Sequence, residues 1–249
     1  MDWKLCLQIF IFGLFLEQSH GANCNATSDI SELTLNKFVH AFKALVIKFD
    51  VAYPYGEKHD EFCRFAEEAA KVNNVFLGEV GMKDYGEREN MGFATKYGIA
   101  GRDPVIVVIY KSYEGDIVHE KFDEPWTVEN MRAFTYEHGR VFIPRPGCIH
   151  VFDILALKFM NLSDRETREV VLKEAKKETQ SKSTSGKYYI KIMEKLLTEQ
   201  DSFVQSEANR LNKILGSNNK ISAEKKKIIV QRLNILRSFN VASQDKEEL

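Results

Sequence analysis

Thiols and imidazoles are the side chains through which this chain could do covalent chemistry, and their spacing argues against it. Thiol–disulfide exchange needs an attacking thiolate, a resolving partner close by, and access. The cysteines are Cys6, Cys24, Cys63 and Cys148, and none of them forms a Cys-x-x-Cys pair with another. No cluster of cysteines and histidines stands at zinc-ligand spacing, and the six histidines show no pattern of nucleophile and base. Cys63 falls in a helical stretch, roughly 9 Å along the axis from Glu57 at about 1.5 Å per residue. It is expected to pack as a small hydrophobe. Cys148 has no neighbouring base and is expected to be a packed free thiol. These residues predict no catalytic group, no metal ion and no cofactor.

A second set of residues suits binding rather than catalysis. The stretch Val46 to Lys58 reads as an apolar strand, a turn and the start of a helix, with Tyr53-Pro54-Tyr55-Gly56 at the turn. Aromatic side chains on a turn offer large contact area at modest entropy cost and are common energetic anchors of interfaces. Tyr53, Pro54 and Tyr55 are therefore the candidate binding residues, with Asp50 and Lys58 beside them. Pro54 separates the two tyrosines, so both are not expected to point inward. Asp50 has a competing reading as part of a buried polar network.

The elements that must position this turn follow from periodicity. Glu32–Leu35 is a short strand candidate, followed by a helical stretch through Phe42. Ala44–Phe49 is an apolar strand interrupted only by Lys48, and Glu57–Lys71 shows Phe62, Phe65, Ala66 and Ala69 at helical spacing. Val75–Val80 is the next strand and Glu87–Lys96 the next helix. Val105–Tyr110 is a β-branched run suited to a strand buried on both faces. Ile117–Phe122 follows the turn residues Glu114-Gly115-Asp116 as the second arm of a hairpin, and Thr127 to about Glu137 closes the unit as a helix. The order β-α-β-α-β-α-β-β-α predicts an α/β sheet covered by helices on both faces.

Beyond residue 140 the period changes. Residues 141–147 contain Pro144, Pro146 and Gly147 and read as a linker. From Cys148 to about residue 242 the pattern is helical throughout. Ser163 and Glu166 form a capping-box pattern, and Tyr188-Tyr189, Ile192-Met193 and Leu196-Leu197 mark a core face. Four or five helices with short connections predict an all-helical bundle. Runs such as Lys225-Lys226-Lys227 read as a solvated helix face.

The ends carry addresses. Lys4 precedes an apolar run from Leu5 to Leu16, and Ser19-His20-Gly21 supplies small residues, so residues 1–21 read as a signal peptide. Its removal takes Cys6 and leaves three cysteines, an odd number, so at least one is free or pairs between chains. Whether Cys24 bridges two copies stays open. Lys246-Glu247-Glu248-Leu249 is a variant of the endoplasmic-reticulum retrieval tetrapeptides. Asn25-Ala26-Thr27 and Asn161-Leu162-Ser163 make Asn25 and Asn161 candidate N-glycosylation sites. No other segment has the length of a membrane span, and a nearly neutral mature chain lacks the basic excess of a nucleic-acid binder. A soluble protein of the reticulum lumen is expected.

Two segments resemble the thioredoxin fold. The strand, turn and helix of residues 46–66 are similar to its active-site segment, with Pro54 and Glu57 where two cysteines would stand. Tyr97-Gly98-Ile99-Ala100-Gly101-Arg102-Asp103-Pro104 resembles its cis-proline segment, with spacing that differs by one residue, which implies a cis bond at Pro104. Asp50 to His59, Val80 to Gly86, Pro146-Gly147-Cys148, Leu233-Asn234-Ile235-Leu236 and the terminal Lys-Glu-Glu-Leu together resemble the redox-inactive branch of the protein disulfide isomerases. This is the family of the vertebrate 29-kilodalton reticulum protein and fly Windbeutel, and the wording of Asp50–His59 is closer to the insect members. The resemblance runs from about residue 29 to the end. It implies a thioredoxin-like domain at 29–140, a helical C-terminal domain at 148–242, a homodimer through the thioredoxin-like domains, and no catalysis. It also implies a chaperone or escort that binds secretory clients through Tyr53, Pro54, Tyr55, Asp50 and Lys58. A retrieval receptor for the tail is a further implied partner. For the insect branch the implied client is a Golgi sulfotransferase needed in dorsal–ventral patterning. At Cys24-Asn25-Ala26-Thr27 this chain keeps the first cysteine of an insect Cys-x-x-Cys. The alternative reading is a weak thiol–disulfide oxidoreductase or isomerase using Cys24, Cys63 or Cys148.

Overall fold

The computed structural model describes residues 24–199, 202–217 and 221–239; the expected leader and the retrieval tetrapeptide lie outside them. The chain divides into two compact units, with the boundary between Ile143 and Pro144. Val141 and Ile143, expected in the linker, are instead buried in the core of the first unit. Both are apolar, and the proline-rich segment begins only after them.

The first unit is a five-stranded mixed sheet in the order β1-β3-β2-β4-β5. The strands are β1 (Ser28–Asp29), β2 (Ala44–Val51), β3 (Val75–Met82), β4 (Val105–Lys111) and β5 (Ile117–Lys121), interleaved with α1 (Glu32–Ala41), α2 (Glu57–Ala69), α3 (Met91–Lys96) and α4 (Val128–Gly139). β3 runs parallel to β1 and β2, whereas β2–β4 and β4–β5 are antiparallel. The expected element order therefore holds, with one correction at its start. Residues 32–35 open α1 and are not a strand, because Thr34 and Ser31 cap that helix reciprocally. The first strand is the two-residue β1 just before it.

Alternation along the strands sorts the side chains onto two faces. Val46, Leu77, Ile106 and Val108 pack under α2 and α4, against Phe62, Phe65 and Phe134. Leu45, Ile47, Phe49, Val80 and Val107 pack under α1 and α3, against Leu35, Val39 and Phe93. Lys48 and Glu79 belong by the same alternation to the α2 face, where both are buried.

The second unit consists of α5 (His150–Asn161), α6 (Arg165–Lys177), α7 (Thr184–Thr198), α8 (Ser202–Gly216) and α9 (Ala223–Arg237), with a 3-10 turn at Thr179–Lys182. Phe152, Phe159, Val171, Tyr189, Ile192, Met193, Leu196 and Leu236 meet in its core, as their helical spacing predicts. The cap of α6 is Asp164, whose carboxylate accepts the Thr167 N–H at 2.9 Å, and not Ser163. A carboxylate one residue later offers the stronger acceptor at a helix N-terminus. Pro146 O accepts from Asn234 Nδ2 at 3.0 Å, which ties the proline segment to α9. Lys225, Lys226 and Lys227 are exposed. Among the described residues no helix is long and apolar enough to cross a membrane.

Candidate functional site

The turn between β2 and α2 is built around Gly56, whose φ of +91° is a conformation that L side chains rarely adopt. Gly56 is the N-cap residue of α2. With the chain bent there, Tyr53 and Tyr55 stand 59% and 87% exposed, whereas Pro54 between them is buried. Pro54 thus supports the turn from below and is not itself a contact surface. Tyr53 and Tyr55 line a cavity of about 580 Å³ together with Asp50, Tyr85, Arg102 and Pro104. Tyr85, also exposed, comes from the loop after β3 and was not anticipated from the sequence. Arg102 is ion-paired with Asp84 on the same rim.

Two expectations for this region are corrected. No described peptide bond is cis, so the bond before Pro104 is trans. The loop there is one residue off the thioredoxin spacing, and trans is the lower-energy isomer even before proline. Lys58 does not join the tyrosines. Its ammonium lies 5.4 Å from the Trp126 ring centroid, beside a separate cavity of about 620 Å³ lined by Glu57, Pro104, Phe122 and Asp123. One helical residue after Glu57 points it toward the β5–α4 loop instead.

Behind the turn lies a polar cluster that sequence reasoning did not assemble. Lys48 Nζ, fully buried, sits 2.6 Å from His59 Nδ1, 2.9 Å from Glu79 Oε2 and 3.2 Å from Asp50 Oδ2. The Phe62 ring centroid is 5.2 Å from the same ammonium. Glu79 Oε2 meets Lys48 as an ion pair without a well-directed hydrogen bond. Glu79 Oε1 accepts from the Cys24 N–H at 2.8 Å and from Thr27 Oγ1 at 2.6 Å. Asp50 Oδ1 accepts the Val51 N–H at 2.8 Å, so its polar-network reading describes its bonding, while its edge also reaches the tyrosine cavity. Buried charges persist only when paired in this way. The available signal was Lys48 itself, a cation in the middle of an apolar strand.

Cys24 and Cys63 form a disulfide across this cluster, with Cα atoms 5.0 Å apart. The expectation of Cys63 as a packed thiol is therefore corrected, and Cys24 pairs within the chain. Spacing could not reveal this, because the 39-residue separation is closed by the sheet that lays β1 beside β3. Among the described residues, Cys24, His59 and Cys63 offer donor atoms within 4.8 Å of one another, but the S–S bond occupies both sulfurs. Among the described residues Cys148 is the free cysteine; burial and the nearby Asp153 push its thiol up. Asn25 and Asn161 are both exposed.

The chain matches two family models, ERp29, N-terminal domain, over residues 22–146, and Endoplasmic reticulum protein ERp29, C-terminal domain, over residues 147–239. It is 30% identical to Protein windbeutel of Drosophila melanogaster over 236 residues, 91% of each chain. A protein disulfide-isomerase of Schizosaccharomyces pombe is 37% identical over 128 residues, 51% of this chain and 34% of that one. Among solved structures, the Trx4 domain of ERdj5 is similar at 19% identity, covering 45% of this chain and 94% of that domain, with a TM-score of 0.35. A thioredoxin-like domain without paired thiols in its turn, followed by a helical domain, is thus a member of the ERp29 and Windbeutel family, related to the protein disulfide isomerases.

Proposed function

We propose that this protein is a non-catalytic chaperone of the endoplasmic-reticulum lumen that binds secretory or Golgi-bound proteins and escorts them toward export. The observation that carries this reading is the β2–α2 turn, where exposed Tyr53 and Tyr55 stand over a cavity with Tyr85. Rigid aromatic anchors around a concavity suit recognition of an extended polypeptide. Family membership supports the chaperone role, and the likeness to Windbeutel supports a Golgi sulfotransferase as one client class, in dorsal–ventral patterning. The thioredoxin-like domain serves as the homodimer platform. The cleaved leader and the terminal Lys246–Leu249 tetrapeptide, read by a retrieval receptor, keep the protein in the lumen, and Asn25 and Asn161 are its glycan acceptors.

The test is a Tyr53→Ala/Tyr55→Ala variant in cells expressing a secreted client. Crosslinking to the client and its export should fall several-fold, with dimerisation and far-UV circular dichroism unchanged. Normal export from this variant would overturn the assignment of the tyrosines.

A further inference from the structure

We propose that the Cys24–Cys63 disulfide is a thiol-exchange site, at which a cysteine-bearing polypeptide is held reversibly as a mixed disulfide on Cys24 while Cys63 waits as the thiolate. The inference rests on the hydrogen bonding behind the disulfide and is independent of the tyrosine surface.

Lys48 lies between two carboxylates, Asp50 and Glu79, so it is an ammonium and has no lone pair. It can only donate to His59 Nδ1, 2.6 Å away. An imidazole that accepts at Nδ1 carries its proton at Nε2. That Nε2–H faces Cys63 Sγ at 3.5 Å. His59 is thereby fixed in the tautomer that donates to this sulfur, and the buried lysine fixes it. The charged groups joined to it through Lys48 are two carboxylates. Lys48 and Asp50 come from β2 and Glu79 from β3, while Arg132 of α4 is engaged by Glu68 and Glu129. A donor aimed at one sulfur of a disulfide makes that sulfur the better leaving group.

The exchange balances without any further oxidant or reductant. An incoming thiolate bonds to Cys24 Sγ, the Cys24–Cys63 bond breaks, and its electron pair leaves on Cys63 Sγ under the His59 N–H. In the return step the Cys63 thiolate attacks Cys24 Sγ, expels the captured thiolate and restores the disulfide. Cys24 is buried, and the residue after it, Asn25, is exposed. Besides the disulfide, the segment is held by the two Glu79 side-chain hydrogen bonds, the two-residue β1 and the Ile30 N–H bond to Glu79 O at 2.9 Å. Local opening of such a short edge is low in free energy compared with global unfolding.

The probe is reduced glutathione, incubated with the full-length oxidised protein, quenched with N-ethylmaleimide and mapped by mass spectrometry. The expected result is glutathione on Cys24 and maleimide on Cys63, with Cys148 free of glutathione. The yield should be lower by about tenfold in His59→Gln, and unchanged in Tyr53→Ala/Tyr55→Ala, which separates this site from the client surface. A Cys24→Ser chain gives a second reading that does not depend on His59→Gln folding. There Cys63 should react with iodoacetamide at pH 6 about tenfold faster in the native state than in guanidinium. Glutathione on Cys63, a yield insensitive to His59→Gln, no adduct under conditions that preserve circular dichroism, or equal native and unfolded alkylation rates would each overturn the proposal.

Discussion

Lys48 and Glu79 are register partners on adjacent strands β2 and β3, and their buried side chains close an ion pair of 2.9 Å beneath α2. Removing one partner of such a pair strands the other charge, which costs roughly 3–5 kcal/mol. Lys48→Met should therefore lower the stability of the thioredoxin-like domain by that order. Adding Glu79→Gln, which keeps an acceptor for Cys24 and Thr27, should restore part of it, since buried Asp50 still lacks its cation. Urea denaturation of the two variants checks this; a neutral Lys48→Met would show that the pair contributes nothing.

The Cys24–Cys63 bond closes a loop spanning 39 residues of sequence separation. Constraint of the unfolded chain by a loop of that size is worth roughly 2–4 kcal/mol. Cys24→Ala/Cys63→Ala should lose that amount in equilibrium denaturation. Because the bond lies within one chain, non-reducing electrophoresis of a Cys148→Ser chain should show a monomer band, and a dithiothreitol-sensitive dimer band would contradict the pairing.

Gly56 follows the two tyrosines directly and takes a positive φ where the turn enters α2. An alanine there meets no neighbouring atom, so the expected penalty is backbone strain alone, about 1–3 kcal/mol. Gly56→Ala should show this loss by thermal denaturation and should weaken client crosslinking as well, since the turn must relax.

Cys148 is expected to be unreactive in the folded protein. Desolvation raises its thiol, Asp153 raises it further, and Tyr189 and Ser238 offset this in part. Only the thiolate reacts. Alkylation of Cys148 at pH 8 should accelerate by about tenfold or more when the helical domain is unfolded in urea. Equal rates would refute its burial.

Tyr188 gives the helical domain an alkaline dependence. Burial is the main cause that pushes its phenol up to about 12, with Glu207 adding and Arg232 and Arg210 opposing. The folded value lies above the unfolded value of 10.0, so the protonated phenol favours the folded state. Its stabilisation is fully present below pH 10.0 and is lost as pH rises toward about 12. Tyr188→Phe should flatten the stability profile across that window, measured by denaturant titration at each pH.

Much was legible from residue order. The β-α-β-α-β-α-β-β-α succession, the helical second unit and the exposed Tyr53 and Tyr55 follow from local periodicity and turn chemistry, because those signals depend on neighbours within a few residues. Errors fell where a local pattern admits two readings. Residues 32–35 suit a strand or a helix until Ser31 and Thr34 cap them, and Ser163 or Asp164 could each cap α6.

The sequence by itself determined that no Cys-x-x-Cys exists and that aromatics occupy its place, since absence and composition need no coordinates. Tertiary structure alone decided that Cys24 meets Cys63, that Lys48 faces Glu79 and His59, and that Lys58 turns away to Trp126. Each of these contacts joins separate elements across the sheet or between a helix and a loop. Such pairings depend on strand order and register, which local sequence does not encode.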